Sequence, residues 1–468
     1  MKNIVLVDRL DVIITYILEN TDWNICVLVV QDEECKRKYV GNPRVKEIYT
    51  AVEFYYLDAS SYIDFEDIEN VRSEYRIIDS GMNRQRTDYH YARYNFYMGV
   101  AIWNRIFRSY SIDMCLLTGI MHGITYDNLL FSIADNYDIP CYDIYPCSKS
   151  NLVVYSQRDK KLLCFGNNDY DVKKGIISDV YYYSEVVTDG DSKKKCNIKE
   201  RGVNFLFKLG GNALVQTVLC IKARTASIEW YPGRKEKVNI FLYLHRFLEM
   251  KYIFRLNDKY SVKADYNKNY VVYFLHFEPE AAVTHNATVM DSQLIIIKMI
   301  ANSLPEDWKL YVKEHPYSRN SNNKKGMAHF TEFIPKYQSK WFFDMIRNTE
   351  NVDFINVNES ATELLKHSRA CATIAGTITK ECIIEKKPCL LFGDPSRNIF
   401  SKECDLFFIK SSEECKKVLQ KINDGFVPEY NNIENISSKY SISKDGDYLK
   451  KIIEVIKKDL LYERDEQL

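Results

Sequence analysis

The run Tyr311-Val312-Lys313-Glu314-His315-Pro316 sets a cation, a carboxylate and an imidazole at the end of an apolar stretch. Proline cannot continue a sheet ladder and holds the residue before it extended, so His315 should stand at the mouth of a strand. An imidazole there can donate a hydrogen bond to a phosphate, and Lys313 would reinforce it as a point charge. The plainer alternative is a strand-end histidine with ordinary charged neighbours. A second run, Ala375-Gly376-Thr377-Ile378-Thr379-Lys380-Glu381, reads as strand end, tight turn and helix start. Free N–H groups and the positive end of the helix dipole would hold an anion at Gly376 and Thr377. Thr377 and Thr379 would add hydroxyl donors, and Glu381 would accept from ribose hydroxyls. Its alternative is a threonine N-cap followed by a solvated glutamate.

Two further runs carry candidate chemistry. Phe274-Leu275-His276-Phe277-Glu278-Pro279-Glu280 ends another strand with a histidine and two carboxylates. Glu280 is the candidate for contacting donor or substrate, while Glu278 and His276 can equally be exposed strand-end residues. Near the front of the chain, Thr118-Gly119-Ile120-Met121-His122-Gly123 follows a strand, and Asp127 opens a helix. His122 or Asp127 would serve as general base toward an acceptor hydroxyl. A loop histidine bonded to backbone and an N-cap aspartate are the alternatives. Asp169-Tyr170-Asp171 and Asp189-Gly190-Asp191 match a short metal-binding pattern only by chance-level spacing in polar loops, so no metal is expected. Dinucleotide-type glycine spacing, a Walker lysine motif and a nucleophile elbow are absent from the sequence.

The elements that must position these residues alternate between strand and helix. Ile4-Val5-Leu6-Val7, Ile25 to Val30, Met114 to Leu117 and Ile139 to Tyr142 are apolar runs of the kind buried on both faces of a parallel sheet. After a break the rhythm returns from about Asn269. Strands are expected at Tyr270 to Phe277, Trp308 to Lys313, Val352 to Ile355, Ala370 to Ala375 and Cys389 to Phe392, separated by helices. The division expected is a first Rossmann-like domain (1–190), a basic helical connector (191–268), a second Rossmann-like domain (269–445) and a C-terminal helix (446–468). Two such domains imply a cleft with ligands at the carboxyl ends of parallel strands.

Composition narrows the class. The chain has 468 residues with 64 basic and 64 acidic side chains, so bulk electrostatic binding to nucleic acid is excluded. Aromatic residues at 13% exclude general disorder. The 13 cysteines form no C-x-x-C pair, which argues against a disulfide framework and a structural zinc alike. A reducing, cytoplasmic setting follows. Residues 193–237 hold 11 Lys or Arg against three Glu, interleaved with apolar side chains. This is either a solvated basic helix face or a patch that rests on an anionic membrane at the inner face of the cell or grips a lipid-linked acceptor.

Taken together, Val272 to Ala282, the Leu304-Pro305 and Trp308 approach to Lys313-Glu314-His315-Pro316, and Thr373 to Gly393 resemble the capsule polysaccharide biosynthesis family. The resemblance covers roughly 270–395. The family includes bacterial transferases that build surface glycans from nucleotide-activated sugars, Kdo transferases among them. The resemblance implies an α/β GT-B fold of two Rossmann-like domains facing a central cleft, with metal-independent transfer of a sugar to a surface polysaccharide or lipid-linked acceptor. It implies no cofactor beyond the nucleotide-sugar co-substrate, with a CMP-sugar of Kdo or sialic-acid type favoured. His315 would contact the donor phosphate, Gly376 and Thr377 would form the phosphate turn, and Glu381 would lie near the ribose. The N-terminal half lacks the Glu-Asp-Gly-Phe element of the Kdo-transferring members. A CDP-polyol phosphotransferase and a non-catalytic glycan-binding member of the capsule assembly machinery are the competing readings.

Overall fold

The computed structural model describes residues 2–7, 11–72, 89–118, 127–146, 151–166, 240–276, 278, 290, 292–315, 338–401, 403–430, 433–444 and 446–466. These residues belong to two compact units.

The first unit is built on β1 (Asn3–Val7), β2 (Asn24–Val30), β3 (Val45–Thr50), β4 (Met114–Thr118), β5 (Cys141–Pro146), β6 (Asn151–Ser156), β7 (Lys161–Leu162) and β14 (Ile442–Ser443). Their order is β14-β6-β5-β4-β1-β2-β3, with β7 on β6. The stretch from β3 through β5 is parallel, while β6 and β14 run antiparallel to their neighbours. The apolar runs suit this because each strand is covered on both faces. Val5, Val7, Cys115 and Leu117 enter the core that takes Val100, Trp103 and Ile106 from the helix Tyr89–Ser109. Ile4, Leu6, Met114 and Leu116 enter the opposite core, against Ile13, Ile14 and Ile17 of the helix Val12–Asn20. A register shift between Ile4 and Val5 leaves Cys26 without a partner across the β1–β2 ladder, which places Cys26 and Val27 in the same core.

The end of the chain returns to this first sheet. Ile442 and Ser443 pair with Leu152 and Asn151, and the helix Tyr448–Glu466 buries Ile452, Ile453, Ile456 and Leu460 in the first unit's core. Asp459 accepts from the Tyr142 hydroxyl at 3.0 Å. Residues 434–444, expected at the close of the second domain, thus sit with the first unit.

The second unit carries β8 (Tyr270–Phe274), β9 (Lys309–Lys313), β10 (Val352–Ile355), β11 (Ala370–Thr373), β12 (Cys389–Leu391) and β13 (Phe407–Phe408). All are parallel, in the order β10-β9-β8-β11-β12-β13. Counted along the chain this is the 3-2-1-4-5-6 order of a Rossmann sheet, whose ligand crevice lies at the first and fourth strands. The run β3-β2-β1-β4-β5 of the first unit winds in the same sense, so both units are Rossmann-like, as expected. Ile296, Ile297 and Ile300 of the helix Gln293–Ala301, with Phe342, Phe343 and Ile346 of the helix Lys340–Arg347, cover one face. Leu364, Leu365, Ile378 and Cys382 cover the other. The helix Ile240–Tyr260, expected in the connector, contributes Ile253 and Leu256 to the second unit's core. The basic stretch 193–237 lies outside the described residues. Among the described residues no helix is long and apolar enough to cross a membrane.

Candidate functional site

Parallel strands put their carboxyl ends on one edge, and here the ladders bring three of the sequence motifs side by side. Phe274 of β8 pairs with Lys313 of β9, and Tyr273 of β8 pairs with Ala372 of β11. The segments 275–276, 314–315 and 374–377 therefore leave the sheet next to one another, at the strand pair where the winding order reverses.

His276 lies at the centre of this edge. It is 7% exposed, not the exposed strand-end residue allowed above. Its Nε2 lies 3.2 Å from the Thr373 hydroxyl and 3.3 Å from the Ala375 amide, which donates to it. Its backbone is clamped by Gln293, the first residue of a helix. The His276 N–H donates to Gln293 Oε1 at 2.8 Å, and the Gln293 amide donates back to the His276 carbonyl at 3.3 Å. Strand β11 ends at Thr373, two residues earlier than the apolar run suggests. Ala375 has already turned its N–H to the imidazole.

The Lys-Glu-His run divides its labour. Lys313 is 3% exposed, and its ammonium donates to the carbonyls of Val357 at 2.8 Å and Glu314 at 3.3 Å. Burial lowers its pKa to about 8, against the opposing pull of Glu314 and Glu359. The lysine read as a phosphate-facing charge thus spends two of its three N–H groups tying β9 to the loop after β10. Glu314, 1% exposed, accepts from Asn257 at 3.2 Å, Gln338 at 2.8 Å and the His315 amide at 2.9 Å. That last bond fixes the backbone of His315, whose side chain is half-buried.

The third motif forms a close turn. A Cβ on Gly376 would meet the Thr373 hydroxyl at 2.7 Å and the His276 ring at 3.6 Å, so only glycine fits without displacement. The Thr379 hydroxyl donates to the Gly376 carbonyl at 2.8 Å and is buried, which removes it from the anion donors expected. Thr377 is exposed and makes no side-chain cap. Glu381 lies one helical turn beyond Thr377 on the same face. Burial, with a smaller contribution from the nearby Glu385 charge, raises the Glu381 pKa to about 7.

Among the described residues one group of thiols could gather a metal. Cys371 of β11, Cys382 of the helix Ile378–Ile384 and Cys389 of β12 hold their sulfurs within 4.8 Å of one another. All three are buried among apolar side chains such as Leu364 and Leu391. Burial pushes the Cys371 and Cys382 thiols well up, and hydrogen bonds from Cys371 and Cys382 bring Cys389 down. Two thiols held protonated by burial donate toward Cys389, and the group packs in the apolar core as small hydrophobes.

His122, Glu280 and Pro316 lie outside the described residues, as do Asp169, Asp171, Asp189 and Asp191. Asp127 begins the helix Asp127–Asn136, as its N-terminal position suggested; its side chain is outside the description. Gln293 is a residue of this edge that sequence reasoning passed over, and His276 figures there only as an exposed strand-end residue. The signal for His276 was present in its position at a strand end; Gln293 left none, being one polar residue at the start of an apolar helix.

Comparison with known proteins places these motifs. Residues 235–401 match the capsule polysaccharide biosynthesis protein family, which bears out the resemblance over the second unit. No curated protein matches the chain. Among solved structures, UDP-GlcNAc 2-epimerase from Methanocaldococcus jannaschii is 12% identical over 93% of this chain and 96% of its own, with a TM-score of 0.25. The KpsC beta Kdo 2,7 transferase of Thermosulfurimonas dismutans is 11% identical over 76% of this chain and 89% of its own, TM-score 0.26. At these TM-scores the likenesses carry no argument; the sheets described above establish the fold.

Proposed function

We propose, from a second domain matched by the capsule polysaccharide biosynthesis family, that this protein is a glycosyltransferase moving a sugar from a nucleotide donor to a bacterial surface polysaccharide or its lipid-linked primer. The observation that carries this reading is the convergence of His276, His315 and the Gly376 turn on one edge of a Rossmann-ordered sheet, inside the matched segment.

Charge develops on the departing phosphate as the glycosidic bond breaks. Preorganised donors aimed at that charge lower the barrier more than any that must reorient. In this reading the donors are the His315 imidazole and the N–H groups of the turn at Gly376 and Thr377. Lys313 acts through the backbone it ties down, and its buried charge adds to the local potential. Glu381, ionised when a ligand seats, accepts from the ribose hydroxyls. His122 or Asp127 is assigned as base toward the acceptor hydroxyl, and Glu280 as a contact to donor or substrate. The reading invokes no metal and favours a CMP-sugar of Kdo or sialic-acid type. Residues 193–237 would give a peripheral contact with an anionic membrane, and co-sedimentation with anionic liposomes at low salt tests it.

The test of the reading is a nucleotide panel (CMP, CDP, UDP, GDP, ADP) by thermal shift on wild type and His315→Ala. A ligand that binds only the native state raises the melting point by mass action. A CMP response lost in the variant supports the site and the donor class. A UDP or GDP response keeps the transferase and replaces the sugar. Silence from every nucleotide overturns the reading.

A further inference from the structure

We infer that His276 is a positioning residue that orients the anion-binding turn by accepting a hydrogen bond from Ala375. The inference rests on the donor site proposed above and adds the side chain that shapes it. A backbone N–H can only donate, so the Ala375 amide at 3.3 Å requires an unprotonated Nε2. The imidazole is therefore neutral, with its proton on Nδ1. The Thr373 hydroxyl at 3.2 Å shares the same nitrogen.

The consequence is geometric. With the Ala375 N–H held inward, the next two amides, of Gly376 and Thr377, meet no acceptor among the described residues. Two successive N–H groups without an internal acceptor are available to donate to an anionic oxygen. The ring also fills the space behind the turn, since a Cβ at Gly376 would stand 3.6 Å from it and 2.7 Å from Thr373. His276 itself cannot drift, because Gln293 holds both its N–H and its carbonyl. The chain of support runs from the Gln293 helix through β8 to the turn after β11, across the strand pair where the winding reverses.

The test compares His276→Ala, His276→Gln and His276→Asn. A glutamine can set its amide oxygen near the place of Nε2, whereas asparagine ends at the level of Nδ1. Two quantities are read: the affinity for whichever nucleotide of the panel binds wild type, by calorimetry, and hydrogen exchange at residues 373–377 in the ligand-free protein. Expected are loss of protection at Ala375 and about tenfold weaker binding in His276→Ala, the scale of one buried hydrogen bond. His276→Gln should restore both, and His276→Asn should not. Should the alanine variant fail to fold, the Gln and Asn pair decides by the same two readouts. Unchanged protection and affinity in His276→Ala, or Gln no better than Asn, overturn the inference. If wild type binds no nucleotide the transferase reading falls, while exchange at Ala375 still decides whether His276 holds the turn.

Discussion

Replacing Glu381 by glutamine should make the protein more stable and a poorer nucleotide binder, and the size of the first effect can be worked out. Burial raises this carboxyl from its ordinary 4.5 to about 7. A shift of about 2.5 units at 1.36 kcal/mol each puts about 3 kcal/mol on the ionised form in the folded state. For a carboxyl whose folded pKa is raised, that stability is fully present below the unfolded value and is lost as pH rises through the folded value. Wild type should therefore lose stability relative to Glu381→Gln between about pH 4.5 and pH 7, and the difference should plateau near pH 8. Desolvating the glutamine amide takes back about 1 kcal/mol, which leaves a net gain of about 2 kcal/mol at pH 8. Urea unfolding of both proteins at pH 4.5, 6, 7 and 8 measures it, with Lys313 cancelling because both carry it. A difference that stays flat with pH refutes the burial argument. The second half is a binding measurement at pH 8, where the ionised carboxylate should favour the ribose by about tenfold over the amide. Equal affinities would remove Glu381 from the site. Together the two halves describe a carboxyl kept at some expense in stability for the sake of a ligand.

Other perturbations give sharp expectations. Gly376→Ala should weaken nucleotide binding and lower stability by about 1–3 kcal/mol, because the added methyl overlaps the Thr373 hydroxyl at 2.7 Å; calorimetry and urea unfolding check both. Lys313 has a folded pKa lowered to about 8, so its contribution is lost as pH falls through that value. Wild type should gain stability relative to Lys313→Met as pH rises from about 8 to about 10.5, read by urea unfolding across that range. Gln293→Leu leaves the buried His276 amide and carbonyl without their side-chain partner, an expected loss of about 1–3 kcal/mol by urea unfolding with faster exchange at His276. Thiol titration of the native protein should modify exposed Cys164 readily, while Cys371, Cys382 and Cys389 react only on unfolding.

The sequence by itself determined the strands and the edge on which the chemistry lies. Val5, Leu116, Val272 and Leu390 sit in apolar runs that water would reject from any exposed position, so a parallel sheet covered on both faces was the available way to bury them. Pro316 and Gly376 mark where two of those strands must stop, which by itself puts His315 and the turn at strand ends. Tertiary structure alone decided what each polar group does there. Thr373 reaches His276 across 97 positions of chain, and Lys313 finds the Val357 carbonyl across 44. Nothing local to Lys313 distinguishes an ammonium aimed at a phosphate from one tied to backbone. The return of the last helix to the first sheet, with Tyr142 and Asp459 separated by 317 positions, is of the same kind. Periodicity reports whether a residue faces the core or the solvent, because that is a property of its own strand or helix. Which partner a buried donor or acceptor meets depends on how separate strands and helices pack together, and single-chain spacing carries no record of it.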